Sequence, residues 1–215
     1  MQLRSLTLPG ALALALGALT PCLFIAGPAA AAVQATDARA YIQNLSDRAF
    51  GVLRDGSVSE KVRTDRFQAL LLEGFAVKSI GRRVLSRYGR SATPEQLADY
   101  DAAFPRYMVT IYQTRLIDYK DATLKVAKVE QVDANNQIVH AIVSGASLQE
   151  PVKADWVVRK TNDGFKIVDL YIQGVSLVIT QQADFAARID QAGTPQKGID
   201  QLIALMRNTQ TASAK

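Results

Sequence analysis

Two apolar runs joined by a glycine turn constrain this chain more than any other feature. Trp156, Val157 and Val158 precede Asn162-Asp163-Gly164, and Phe165, Ile167, Val168, Leu170, Tyr171 and Ile172 follow. That order predicts a β-hairpin in which Gly164 takes the positive-φ position of the turn. The second strand is apolar on both faces, so the hairpin belongs in a sheet with helices on one side and something else on the other. Two further strand-like runs, Ala122 to Val132 and Gln137 to Leu148, come before the hairpin, whose own strands are Val152 to Lys160 and Phe165 to Ile172. Asn135-Asn136 and Glu150-Pro151 separate them, which makes consecutive antiparallel pairing the simplest topology. Gly145 is expected to mark a bulge.

Helical periodicity fills the chain on both sides of these strands. Tyr41, Ile42, Leu45, Ala49, Val52 and Leu53 recur at three- and four-residue steps between Thr36 or Asp37, as N-cap, and Gly56. A second helix is predicted from about Ser59 to Glu73 and a third from Ala76 to Tyr88. Gly81 falls within the third at a cost of about 1 kcal/mol relative to alanine, so it implies close approach by another element or a ligand. Thr93-Pro94-Glu95-Gln96 starts a fourth helix, with Thr93 as cap, Pro94 in the first turn and Gln96 placed to bond back. Pro105 should kink or break that helix near Asp101 to Pro105, since a proline inside a helix costs about 3 kcal/mol. After the strands, helices are expected from about Gln181 to Gln191 and from Pro195 to Asn208, with a frayed tail beyond. Helices first and a meander second make an α+β domain.

Residues 1–32 read as a secretory leader: Arg4 near the start, an apolar stretch from Leu6 to Ile25, then Ala29 to Ala32 as small residues before a cleavage point. An uncleaved anchor is the alternative, because the apolar run is about long enough to span a bilayer. A lipoprotein would need a small residue before Cys22, where Pro21 stands. Cys22 is the only cysteine, so the domain after the leader has no disulfide, thiol nucleophile or thiolate metal site. The net charge of +5 is a mild excess, and no basic stretch alternates with aromatics, which argues against nucleic acid as a partner.

Few residues can carry chemistry. His140 is the single histidine and lies on an alternating strand, which excludes a multi-histidine metal site within one chain. Gly174-Val175-Ser176-Leu177-Val178 lacks the second glycine of a nucleophile elbow. Asp169, between apolar neighbours in a strand, is costly unless paired. It either organises the turn at Gly174 to Ser176 or serves as the base of an isomerase or hydratase, with Tyr112 or Tyr171 assisting. The apolar surplus of the helices and hairpin fits either a solid core or an enclosed cavity.

The order of Trp156, the Asn-Asp-Gly turn, Phe165-Lys166-Ile167-Val168-Asp169, then Gly174-Val175-Ser176-Leu177, Thr180 and Phe185 resembles the MlaC-type periplasmic phospholipid-binding proteins, also called the toluene-tolerance family. Val84-Leu85 before Tyr88, Ala92 to Gln96, Phe104 and Tyr112 add to the likeness, which extends from about Asp37 to Arg207. The resemblance implies N-terminal helices packed on a curved four-stranded antiparallel sheet, as in NTF2-like folds, with C-terminal helices, enclosing an apolar cavity. It implies a non-enzymatic, monomeric carrier of a phospholipid, or of a hopanoid, that needs no metal or cofactor. Its implied partners are an inner-membrane ABC transporter complex and an outer-membrane lipoprotein complex. Residues expected near the lipid are Leu71, Phe75, Ile80, Val84, Tyr88, Phe104, Met108, Ile111, Tyr112, Trp156, Ile167, Tyr171 and Val175, with Arg82, Arg83 and Arg106 as headgroup or docking candidates. Where the family often carries arginine before Phe185, Gln181 and Gln182 stand here.

Overall fold

Most helices begin where a short polar side chain takes up a free backbone N–H; the third, which follows Ala76, is the exception. The computed structural model describes residues 37–116 and 121–212; the expected leader, with Cys22, lies outside them. In α1 (Ala38–Arg54) the Asp37 carboxylate accepts the Ala40 N–H at 2.7 Å, and in α2 (Glu60–Gly74) the Ser59 hydroxyl accepts from Val62. The third helix, α3 (Val77–Leu85), stops three residues short of Tyr88, because Ser86 turns to a φ of 51° and the chain continues as a 3-10 turn over Ser86–Arg90. The predicted capping box opens α4 (Pro94–Leu116): Thr93 N–H donates to Gln96 Oε1 at 3.1 Å and Gln96 N–H to Thr93 Oγ1 at 3.2 Å.

Of the kink or break expected at Pro105, the break does not occur: α4 continues through the proline. The turn before the proline is held by its own packing. Tyr100 and Phe104 are buried and stacked at 5.4 Å, and the Tyr100 hydroxyl donates to Gly81 O at 2.9 Å. Those contacts offset the roughly 3 kcal/mol of the missing bond.

The sheet has five strands in sequence order, β1 (Thr123–Gln131), β2 (Asn136–Ser144), β3 (Val152–Thr161), β4 (Gly164–Ile172) and the two-residue β5 (Val175–Ser176), all antiparallel. The four long strands are those predicted, and β5 is added by the turn at Gln173 and Gly174, both at positive φ. Gly145 is not a bulge. It lies just past β2, where a Cβ would stand 2.9 Å from the Ala122 Cα, so it serves a close passage of two backbones. The bulges fall at Ala127 in β1 and at Val168 in β4, where the pairing passes from Val157 with Asp169 to Val158 with Ile167.

The free edge of β1 is covered over its first half by side chains of α1. Arg39 donates from Nη1 to Val126 O at 2.9 Å and from Nη2 to Ala127 O at 3.2 Å, Gln43 Nε2 to Leu124 O at 3.0 Å, and Arg54 to Ala122 O at 3.4 Å.

The chain closes with α5 (Leu177–Gln191) and α6 (Pro195–Ala212). Helix α5 begins four residues earlier than expected because the Ser176 hydroxyl caps it, accepting from Ile179 N–H at 3.0 Å. Helix α6 continues past Asn208, where fraying was expected. The two helices meet at Gly198, where a Cβ would lie 2.6 Å from the Ile189 Cα and 2.7 Å from its carbonyl oxygen. Backbone cannot step aside as a side chain can, so Gly198→Ala should lower stability by about 3 kcal/mol, the top of the ordinary overpacking range, as a fall in the urea midpoint. An unchanged midpoint would mean that the helices cross less closely.

Two hydrophobic clusters result. One joins α3, α4, α5 and α6 around Tyr100, Phe104, Phe185 and Met206; the other packs Ile42, Leu45 and Leu70 of α1 and α2 on Val139, Val158 and Ile167 of the sheet. Phe75 touches both.

Candidate functional site

A cavity of about 500 Å³ is walled by both clusters. Helix α1 contributes Ile42, Leu45, Ala49, Phe50 and Leu53, α2 Phe67, Leu70 and Leu71, α3 Val77, Ile80 and Val84, and α4 Phe104, Met108, Val109 and Tyr112. Leu124, Val143, Val152, Ala154, Trp156 and Ile172 of the sheet form the facing wall, and Leu177 and Val178 of α5 complete one end. Register explains why these strand residues agree: Leu124 pairs with Val143, Val143 with Val152, Val139 with Trp156 and Ala154 with Ile172, so they share one face.

Polar groups in the wall are few: Ser46, Asp169, Gln173 and Gln181, beside the Tyr112 hydroxyl and the Trp156 indole. The Trp156 N–H is buried without an acceptor among the described residues. Among the described residues, no lysine, arginine or histidine lines the cavity. Asp169, the one charged lining residue among those described, has its oxygens engaged. Oδ1 accepts the N–H groups of Leu170 at 2.8 Å and Val178 at 3.3 Å, Oδ2 accepts the Ser176 hydroxyl at 2.8 Å, and Arg83 Nη2 lies 3.7 Å from Oδ2. It ties the start of α5 to β4, as the turn-organising reading expects. With three donors and the Arg83 guanidinium gathered around its two oxygens, it is poorly placed to receive a substrate proton.

Tyrosines nearby act as neutral donors. Tyr41 donates to Gly74 O at 2.8 Å, and burial, with Glu73 adding to it, raises its pKa to about 12. Burial raises Tyr100 and Tyr107 as well.

Of the residues expected near a lipid, Leu71, Phe75, Ile80, Val84, Phe104, Met108, Tyr112 and Trp156 come together around this cavity. The others lie elsewhere. Tyr88 is buried beside α5, its hydroxyl 2.5 Å from Asp190; Ile111 packs on the helical cluster; Ile167 is sealed in the sheet cluster; Val175 is 58% exposed. Tyr171 pairs with Asp155 on the opposite sheet face, where His140 Nδ1 also lies 2.8 Å from an Asp155 oxygen. The Val168 bulge is the reason Ile167 and Tyr171 part company, since one extra residue sends them to opposite faces.

The arginine candidates also stand outside the wall. Arg82 pairs with Asp101 at 2.6 Å, Arg83 donates to Val168 O at 3.0 Å, and Arg106 is exposed. The contribution of α1 was missed. Its apolar stripe was visible, but periodicity tells which face is buried and not whether it meets a neighbour or a void.

A family model described as MlaC protein matches residues 43–208. The chain belongs to the MlaC family. A solved structure of the phospholipid-binding protein from Ralstonia solanacearum, in complex with a phospholipid, has the same fold: the TM-score is 0.69 at 21% identity, over 83% of this chain and 99% of that one. The MlaC match runs from within α1 into α6 and so takes in every described lining residue except Ile42. Among the described residues no helix is long and apolar enough to cross a membrane, and no cluster of three His, Cys, Asp or Glu could hold a metal ion.

Proposed function

We propose that this chain is a periplasmic phospholipid carrier, exported by a cleaved leader, that houses acyl chains in the cavity and passes its cargo between an outer-membrane lipoprotein complex and an inner-membrane ABC transporter complex. It thereby helps to maintain outer-membrane lipid asymmetry. The observation that carries this reading is an apolar cavity of about 500 Å³, inside the ordinary range for small-molecule sites, in a chain of the MlaC family. A structural neighbour that is itself a phospholipid complex supports the same cargo.

The energetics give such a carrier its purpose. At about 0.8 kcal/mol per methylene, two acyl chains oppose release into water by on the order of 20 kcal/mol. A cavity that matches the apolarity of a bilayer makes transfer nearly neutral, and direction then comes from the membrane partners. Among the described residues the walls offer an acyl chain apolar side chains and a phosphate no cation, which favours chains in the interior and a headgroup toward solvent. The engaged oxygens of Asp169 speak for binding without catalysis.

The test is native mass spectrometry of the protein purified from the periplasm without detergent. A stoichiometric phospholipid is the expected result; a hopanoid would keep the carrier and change its cargo. A bare polypeptide mass, with no lipid taken from labelled phospholipid vesicles, would overturn the reading.

A further inference from the structure

We infer that two glycines, Gly81 and Gly74, set the depth of the cavity and so the length of acyl chain it accepts, an inference that rests on the carrier reading above. Each glycine lies against a side chain of the cavity wall. A Cβ on Gly81 would stand 2.8 Å from Phe104 Cδ1 and 3.1 Å from Cε1, and one on Gly74 would stand 2.4 Å from Leu45 Cδ2. Phe104 and Leu45 both line the cavity. The absent methyl groups are what let these two side chains withdraw from it.

Both glycines are anchored in the same way. Tyr100 donates to Gly81 O at 2.9 Å and Tyr41 to Gly74 O at 2.8 Å, so neither backbone is free to retreat when a methyl is added. The side chain must move instead. On its other sides the Phe104 ring meets Tyr100 at 5.4 Å and Phe185 at 6.4 Å, both fully buried. A packed interior offers no slack, and the open volume is the cavity. A methyl at Gly81 therefore drives the ring into the space a chain terminus would fill, and a methyl at Gly74 does the same through Leu45. Alanine's better helix propensity offsets part of the displacement at Gly81, which lies in mid-helix, so that variant should still fold.

The experiment presents wild type, Gly81→Ala, Gly74→Ala and Phe104→Leu with an equimolar series of phosphatidylglycerols from dilauroyl to distearoyl, and reads the bound population by native mass spectrometry. The alanine variants should shift to shorter chains, the longest losing about fourfold in relative occupancy for each methylene excluded, as about 0.8 kcal/mol per methylene implies. Phe104→Leu removes ring volume and should shift the population to longer chains, which keeps the inference testable if an alanine variant does not fold. One length distribution shared by all folded proteins would overturn it. A wild type that takes up none of the series would instead overturn the carrier reading. In that case a crystal structure of Gly81→Ala decides the point about the wall, and a Phe104 ring that has moved away from the cavity sinks it.

Discussion

Phe185→Ala is expected to lower the free energy of unfolding by about 3–5 kcal/mol, the usual cost of emptying a buried aromatic site. Phe185 is fully buried and lies where three aromatic residues of α4 converge: Tyr107 at 5.9 Å, Phe104 at 6.4 Å and Tyr100 at 6.5 Å between ring centroids. The contacts with Tyr100 and Phe104 are edge-on, near 90°, a favourable arrangement that adds about 0.5–1.5 kcal/mol per pair beyond area. The ring does not line the cavity, so the loss should be one of stability. Urea unfolding followed by circular dichroism measures it, and a midpoint within error of wild type would show that α5 is not held to α4 by this ring.

The second large effect is expected at Asp169. Replacement by alanine strips an acceptor from three donors at once, the Ser176 hydroxyl and the N–H groups of Leu170 and Val178, two of them in buried bonds. A buried donor left unpaired costs about 1–3 kcal/mol, so a total near 3–5 kcal/mol follows, with water able to reach the partly buried one. Asp169→Asn keeps an oxygen for the two N–H groups but turns an amide toward Ser176 and Arg83, and should lose about 1–3 kcal/mol. Thermal melts of both variants, beside wild type, test the ranking. Full stability in the alanine variant would remove Asp169 from its structural role and reopen the case for a catalytic one.

Local chemistry made much of this fold readable in advance. The Thr93 to Gln96 box forms both of its predicted hydrogen bonds, and Gly164 takes a φ of 103° at the hairpin turn. The four long strands pair in the order their turns imply. What escaped depends on contacts between distant parts of the chain. The unbroken passage of α4 through Pro105 rests on the buried stack of Tyr100 and Phe104 and on a bond to Gly81, nineteen residues away. The bulge at Val168 has no glycine to announce it, yet it decides which residues of β4 share a face. The resemblance implies that Ile167 and Tyr171 both lie near the lipid, and the structure sets them on opposite faces. The cavity was legible only through family resemblance, because Leu45 and Phe50 would read the same against a neighbour as against a void.

The cover that α1 lays over the first half of β1 has a consequence for life among other copies. An edge strand with bare carbonyls is a template on which a second chain can grow the sheet, and the step repeats without end. Here the outward carbonyls of Ala122, Leu124 and Val126 are already taken by Arg54, Gln43 and Arg39, side chains of the same molecule. Along that half the sheet ends where the chain itself ends it, and recruitment of a neighbour by strand addition there would first have to break bonds that the first helix has made.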